Sequence, residues 1–144
     1  MKYTLNNINV NIMIKAILHT DGGARGNPGP AGLGAVLEMG DDKLFFKKYI
    51  GEATNNQAEY QALILGLTKA QERGVAEVDC YLDSELVVKQ LNREYKVKNE
   101  GIAPLFIKVW NLTQQFKKVK FIHVFREDNK EADKLVNEAI DKAV

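Results

Sequence analysis

The hydrophobic pattern changes its period at Thr54, and this change limits the possible folds more than any other feature of the chain. Before Thr54, apolar residues alternate in three short segments joined by short loops, which predicts antiparallel strands. After it, helical spacing alternates with two more short apolar segments, which predicts parallel strands joined through helices. The predicted strands are 14–20, 32–39, 43–50, 77–82 and 119–125. The sequence therefore predicts an α/β fold with a five-stranded mixed sheet, three antiparallel strands then two parallel, flanked by helices.

Local signals mark the ends of the helices. Thr54 and Gln57 have the spacing of a capping box, which predicts a helix from there to residue 73, where Gly74 ends it. Asp128 and Glu131 repeat the capping-box spacing ahead of the last helix. The other predicted helices are 84–93, 103–116 and 128–142.

Length and composition indicate one globular domain. The chain has 144 residues, of which 45% are hydrophobic and 27% charged. No apolar run approaches the roughly 20 residues that a membrane helix needs. We expect residues 1–12 to be a loose extension and 13–144 to form the domain. The single cysteine, Cys80, lies in an apolar run and is expected to be buried; together with the missing export signal it indicates the cytoplasm.

Charge alone leaves the class of ligand open. The net charge is only +1, but basic residues are locally grouped. Such groups are typical both of solvated faces and of nucleic-acid contacts. The grouped residues are Lys47, Lys48, Lys96, Lys98, Lys117, Lys118, Lys120, Arg126, Lys130 and Lys134.

Two aspartates directly follow predicted strands. Asp21 follows the first strand and begins the segment DGGARGNPGP, which predicts a turn, and Asp83 follows the fourth. If these strands are parallel neighbours, both carboxylates lie at the sheet edge where open α/β folds bind ligands. Each aspartate also has a structural explanation, because Asp21 suits the start of a turn and Asp83 suits a helix cap.

Two further acids lie on the inward faces of predicted helices. Glu59 shares its face with Leu63, and Asp133 shares its face with Val136 and Ile140. A carboxylate in such a stripe loses its water, which is unfavourable unless a cation or a hydrogen-bond donor compensates. The alternative is a partly exposed acid at the boundary of each stripe.

Four acids brought together would repel one another unless cations lay among them. Mg²⁺ binds a few carboxylates together with waters and substrate phosphate. A pair of such ions suits phosphodiester hydrolysis, because one activates a water while the other stabilises the leaving oxygen. The sequence contains no CxxC, HExxH, GxxxxGK[ST] or GxSxG, the motifs that indicate other catalytic chemistries.

Four segments, in order and spacing, resemble the signature blocks of type 1 ribonuclease H. They are TDGGARGNPGPAGLGAVL, TNNQAEYQALILGL, YLDSELVVKQL and NKEADKLVNEA. The resemblance extends from Met13 to the C-terminus and is greatest to the compact branch without the basic protrusion helix, because only a short EYKVKNEG segment follows Arg93. It implies the ribonuclease H-like fold and a ribonuclease H catalytic domain at 13–144.

The resemblance also implies an activity, the endonucleolytic hydrolysis of the RNA strand of RNA–DNA hybrids by a two-metal mechanism that leaves 5′-phosphate and 3′-hydroxyl ends. The implied cofactor is a pair of Mg²⁺ ions, for which Mn²⁺ substitutes. The implied catalytic and metal-binding residues are Asp21, Glu59, Asp83 and Asp133. The implied substrate-binding residues are Gly22, Gly23, Ala24, Asn27, Asn55 and Asn56. We expect a cytoplasmic monomer that binds the hybrid and needs neither a membrane nor an obligate protein partner.

The two asparagines carry the implied discrimination of RNA from DNA. The resemblance sets Asn55 and Asn56 near the cut, one beside the RNA 2′-hydroxyl and the other nearer a phosphate. The 2′-hydroxyl is the group that separates RNA from DNA at a site. Capping of the helix start is an alternative role for both, and the two roles can coexist.

The chain departs from the family pattern in three ways. His123 falls within a predicted strand, so we interpret it as structural rather than as a mobile histidine, and the nearby Arg126 is a candidate phosphate contact. Glu85 replaces an amide that contacts RNA in relatives, and its charge would repel phosphate. Without the basic helix, the candidate backbone contacts are Lys96, Lys98 and Lys117.

Two other functions stay open. One is a catalytically silent hybrid-binding module on the same fold, although such members usually lack one of the acids. The other is the same nuclease acting also on double-stranded RNA or on a DNA junction, although the TNN block favours the hybrid.

Overall fold

The computed structural model describes residues 2–5 and 8–11, as backbone only, and residues 13–144. The first two ranges are strands β1 (Lys2–Leu5) and β2 (Ile8–Asn11), which pair antiparallel in a sheet of their own. Residues 1, 6, 7 and 12 lie outside the described residues. The assignment of 1–12 as a loose extension therefore stays a prediction.

A five-stranded mixed sheet forms the centre of the molecule. Its strands lie in the order β5-β4-β3-β6-β7, with β3, β4 and β5 antiparallel and with β6 and β7 parallel to β3. The strands are β3 (Ile14–Ala24), β4 (Gly29–Met39), β5 (Asp42–Ala53), β6 (Val75–Leu82) and β7 (Lys118–His123). This arrangement confirms the predicted α/β fold, with three antiparallel strands followed by two parallel ones.

Among the described residues, four α-helices flank the sheet, and the alternation of side chains in β4 shows which face each long helix covers. Leu33 packs in a cluster with Ala58 of the first helix, whereas Val36 packs with Ala132 and Leu135 of the last. Because successive strand residues point to opposite faces, these two helices cover opposite sides of the sheet. The helices are α1 (Asn55–Glu72), α2 (Glu85–Leu91), α3 (Ala103–Thr113) and α4 (Lys130–Ala143).

The predicted ends of α1 are confirmed. Thr54 Oγ1 accepts a hydrogen bond from the Gln57 backbone N at 3.2 Å, and Gln57 Oε1 accepts one from the Thr54 N at 2.9 Å. This reciprocal pair is the capping box that the spacing predicted. The helix ends before Gly74, whose φ of 73° lies in the left-handed region that glycine adopts without strain. These contacts fix the start of α1, the turn that precedes Glu59.

The predicted turn at Asp21 is wrong in its extent. Strand β3 continues through Asp21 to Ala24, and β4 begins at Gly29 rather than at residue 32, so only residues 25–28 form the loop. Asp21 pairs with Gly34 in the antiparallel ladder. The glycines and prolines of this segment suggested a turn, but the long ladder with β4 determines its conformation. Asp21 is therefore held by strand hydrogen bonds on a rigid element.

Two interpretations of helix caps and one predicted strand end are also wrong. The capping residue of α2 is Ser84, whose Oγ accepts from the Val87 N at 3.3 Å, so Asp83 is free of the capping role. The helix α4 begins after Asn129 without a side-chain cap, so Asp128 and Glu131 form no capping box. Strand β7 ends at His123, two residues earlier than predicted.

Other expectations about the class of protein are met. Cys80 is fully buried, as predicted. The segment between α2 and α3 contains no helix, as the compact branch requires, and this range is fully described. Among the residues that the structure describes, no helix combines the length and apolarity needed to cross a membrane.

Candidate metal centre

Three carboxylates meet at the carboxyl ends of β3 and β6. Asp21 lies near the end of β3, and Asp83 directly follows β6, which runs parallel to β3 with Leu82 opposite Thr20. Glu59 approaches from the first turns of α1, which packs on β3. One carboxylate oxygen from each of Asp21, Glu59 and Asp83 lies within 4.8 Å of the other two. The parallel pairing that the sequence predicted is what brings these acids together.

Asp133 lies at the edge of the same cavity. The cavity has a volume of about 340 Å³ and is lined by all four acids. Asp133 stands outside the group of three whose oxygens are mutually within reach of one ion. Its side chain is 33% exposed, and its Oδ1 lies 3.7 Å from Nη2 of Arg126. The structure thus brings the four predicted acids to one cavity, with three of them at its floor and one at its rim.

Burial gives two of the acids unusual proton affinities. Asp21 is 7% exposed and Glu59 is 6% exposed. Burial raises the pKa of Asp21 to about 7, and interaction with Glu59 lowers the pKa against this effect. The nearby negative charges of Asp83 and Asp133 raise the pKa further. Burial also raises the pKa of Glu59 well above its usual value, with a further contribution from Asp21. Both carboxylates are therefore destabilised as anions when no cation is present.

The donor set fits a divalent cation. Glu59 Oε1 accepts a long hydrogen bond from the Gly22 N at 3.4 Å, and Glu59 Oε2 is buried without a hydrogen-bond partner among the described residues. A buried carboxylate oxygen without a donor calls for a cation. Three carboxylate oxygens are the ligands that hard divalent ions prefer. The cluster has the composition and spacing of a divalent metal site.

Comparison with known proteins places the chain in a family. Residues 19–139 match the reverse transcriptase-like family. The chain is 42% identical over 133 residues to the bifunctional protein Rv2228c of Mycobacterium tuberculosis, which covers 90% of this chain and 36% of that protein. The solved structure of RNase H1 from Halobacterium salinarum superposes with a TM-score of 0.86 at 38% identity, covering 89% of this chain and 98% of the other. The chain belongs to the ribonuclease H family.

A second solved member of the ribonuclease H family contains a nucleic acid. It is LC11-RNase H1, isolated from compost by a metagenomic approach, and its structure is that of a complex with an RNA/DNA hybrid. It matches with a TM-score of 0.84 and 46% identity over 89% of this chain and 98% of the other. Because the chain spans only about a third of Rv2228c, the comparison with that protein concerns its ribonuclease H part alone.

Most of the predicted substrate-binding residues line the ribonuclease H cavity. The lining residues among them are Gly22, Gly23, Ala24, Asn55, Asn56 and Arg126. Asn27 lies outside the lining, but its Oδ1 accepts from the Asn55 N at 2.9 Å, and Asn55 Oδ1 accepts from the Ala24 N at 2.9 Å. These two side-chain amides join the end of β3 and its loop to the start of α1. Asn55 therefore bonds to a distant strand residue, Ala24, rather than to the backbone of its own helix.

Gly22 has a packing role that its sequence context did not reveal. A Cβ atom at Gly22 would overlap the backbone carbonyl of Ala58, whereas a Cβ at Gly23 would lie 3.6 Å from Val136 Cγ1, an ordinary contact. The backbones of β3 and α1 therefore touch at Gly22. This close approach sets the distance between Asp21 and Glu59.

Asn129 is the site residue that sequence analysis missed. It is 1% exposed, and its Nδ2 donates to the Thr20 carbonyl at 2.9 Å and to Asp83 Oδ2 at 3.1 Å. The same residue precedes α4, the helix of Asp133. One side chain therefore fixes Asp83 relative to β3 and to α4. An asparagine before a helix indicates only a cap, so the sequence carried no signal for this role.

Asn129→Ala is expected to weaken Mg²⁺ binding by about tenfold, because side chains that orient metal ligands typically contribute this much to affinity. It also leaves the Thr20 carbonyl without its buried donor and lowers stability by about 1–3 kcal/mol. Isothermal calorimetry of Mg²⁺ binding measures the first effect. Leu135→Ala is the control, because Leu135 is buried in α4 in a cluster with Val36 and Ala132, and its loss is expected to lower stability without lowering metal affinity. Equal Mg²⁺ affinities for the two variants would contradict the orienting role.

Proposed function

We propose that the protein is an endonuclease that hydrolyses the RNA strand of RNA–DNA hybrids and leaves 5′-phosphate and 3′-hydroxyl ends. The observation that carries the proposal is the approach of oxygens of Asp21, Glu59 and Asp83 to within 4.8 Å of one another in the lining of one cavity. The crystal complex of the relative LC11-RNase H1 with an RNA/DNA hybrid supports this choice of substrate. The cavity lies at the carboxyl ends of β3 and β6, where ligands of open α/β sheets bind.

Four acids of this chain would hold two Mg²⁺ ions, or Mn²⁺ in their place. These residues are Asp21, Glu59, Asp83 and Asp133. Bound divalent ions supply Lewis acidity at the phosphate and make a water nucleophilic near neutral pH. Asp21 and Glu59 have raised pKa values because they are buried, so they lose protons when a cation binds, and metal affinity rises with pH. The deprotonated carboxylates of the buried acids would thus hold the divalent ions that the reaction requires.

The rim of the cavity supplies contacts for the nucleic acid. Asn55 Oδ1 is engaged by the Ala24 N, so the donors that this side chain offers to a ligand are those on Nδ2. We assign Asn55 and Asn56 to recognition of the RNA near the cut, where the 2′-hydroxyl accepts and donates hydrogen bonds. Arg126 is 82% exposed beside Asp133 and is assigned to a phosphate. The residues assigned to the border of the bound hybrid are Gly22, Gly23, Ala24 and Asn27.

One assay tests the proposed substrate. Labelled RNA–DNA hybrid, duplex RNA and duplex DNA are incubated with the protein and Mg²⁺ at equal salt concentration, and the products are separated on a denaturing gel. Cleavage of the RNA strand of the hybrid alone, suppressed by EDTA, is expected. Binding of the hybrid without cleavage would instead indicate a silent hybrid-binding module, and equal cleavage of duplex RNA would broaden the substrate class.

A further inference from the structure

An exposed aromatic groove lies on α3 and the segment that precedes it, outside the metal centre. The groove has a volume of about 570 Å³. Tyr95 is 50% exposed, Ile107 57% and Trp110 44%. A cluster of large exposed side chains of this kind marks an interaction surface. The aromatic groove is lined by Gln90, Arg93, Tyr95, Lys96, Val97, Ala103, Phe106, Ile107 and Trp110.

Cations accompany both exposed rings. The Arg93 guanidinium lies 4.1 Å from the centre of the Trp110 ring, and Lys89 Nζ lies 5.0 Å from the centre of the Tyr95 ring. A second cavity, of about 370 Å³, is also lined by Trp110, together with Lys117 and Lys118. Within the described part of the chain, no aspartate or glutamate lines either cavity. The aromatic groove therefore complements a polyanion that carries flat rings.

The aromatic groove lies a short distance from the metal centre. Helix α2 connects the two, since Ser84 at its start lines the metal cavity and Gln90 near its end lines the groove. Seven helical residues span about 10 Å, the length of about three base pairs of a duplex. Gln90 Oε1 also accepts from the Tyr60 hydroxyl at 2.8 Å, next to Glu59 in α1. The distance suits two contacts made by one nucleic acid.

We propose that the aromatic groove binds an unpaired nucleotide strand that extends from the duplex held at the metal centre. Bases stack on Tyr95 and Trp110, while Arg93 and Lys96 contact phosphates, which is the chemistry of single-strand binding. A duplex keeps its bases stacked on one another, so exposed rings between cations suit an unpaired strand better. The binding of an unpaired strand by the groove does not depend on the proposed function. Only the statement that this strand extends from a duplex at the metal centre rests on it.

The single tryptophan of the chain, Trp110, reports directly on the aromatic groove. Titration of a single-stranded DNA oligonucleotide into the protein, in EDTA to prevent cleavage, is expected to quench the tryptophan fluorescence in a saturable manner that weakens as salt is raised. Tyr95→Ala keeps the reporter and removes one stacking surface, which is expected to weaken binding about tenfold. Phe45→Ala is the matched control, since Phe45 is 52% exposed on β5, and it leaves the titration unchanged.

A second measurement separates this proposal from the proposed function. Hybrids with and without a single-stranded extension are cleaved in parallel, and the extension is expected to lower KM for the wild type but not for Tyr95→Ala. Normal cleavage of hybrid without any fluorescence quenching overturns the groove proposal and leaves the nuclease intact. Fluorescence quenching without cleavage of the hybrid supports the groove proposal and overturns the proposed nuclease function. If the quenching depends on the protein concentration and not on the oligonucleotide concentration, the groove is an interface between two copies of the protein. That result also overturns the proposal.

Discussion

Asp21→Asn is expected to lower the rate of Mg²⁺-dependent hybrid cleavage by about a thousandfold or more, because the loss of a proposed metal ligand removes several kcal/mol of transition-state stabilisation. Asparagine has the same shape, so the ladder between β3 and β4 is kept. Single-turnover cleavage of labelled hybrid measures the loss. Asp83→Asn is expected to behave alike, whereas Asp42→Asn, at the exposed first residue of β5, leaves the rate unchanged. Undiminished cleavage by Asp21→Asn would defeat the site assignment.

The same variant is expected to change how the stability of the metal-free protein depends on pH. The pKa of Asp21 is about 7 in the folded protein and 3.8 in the unfolded chain, so between these values the folded protein binds more protons. The free energy of unfolding therefore falls as pH rises from about 4 to about 7. The raised pKa of Glu59 acts in the same direction. Asp21→Asn reduces this slope, and Mg²⁺ added at pH 8 raises the unfolding midpoint of the wild type but not of the variant.

Gly22→Ala is expected to have the largest effect on the fold near the site. The added Cβ overlaps the Ala58 carbonyl, which belongs to the backbone and moves only if α1 shifts away from β3. Overpacking of this kind destabilises a domain by about 3 kcal/mol. The shift also separates Glu59 from Asp21 and weakens Mg²⁺ binding. Denaturant unfolding and calorimetry measure the two effects.

Gly23→Ala is the matched control for this variant, one residue along the same strand. Its Cβ meets only Val136 Cγ1, at 3.6 Å, so a change in stability within about 0.5 kcal/mol is expected. An equal denaturation midpoint for the Gly22 and Gly23 variants would show that β3 and α1 tolerate separation. In that case Gly22 would serve the substrate alone, as the family resemblance implied.

The elements that follow from local periodicity were predictable from the sequence. The change of period at Thr54 gave the order of strands and helices, and the parallel pairing of the first and fourth strands placed Asp21 beside Asp83. The inward stripe of α1 predicted the burial of Glu59, which is 6% exposed. The strands and helices are set by residues close to one another in the chain, and the pairing of the two strands follows from their connection through helices.

The features that depend on distant partners were not predictable. Asp21 was expected in a turn because glycine and proline follow it, but pairing with β4 extends the strand beyond it. Asn129 donates to Thr20 and Asp83, which are far away in the sequence, so no local pattern encodes its role. The contact of Gly22 with Ala58 likewise exists only once α1 has packed on β3.

The order of the four acids along the chain determines when the metal centre can be completed during synthesis. The cavity takes one acid from β3, one from α1, one from the end of β6 and one from α4, the last helix. During synthesis, the ribosome therefore releases Asp133 and its neighbour Asn129 only after the other three acids have emerged. A nascent chain or a proteolytic fragment that ends before Asn129 lacks both Asn129 and Asp133, so it has no complete centre.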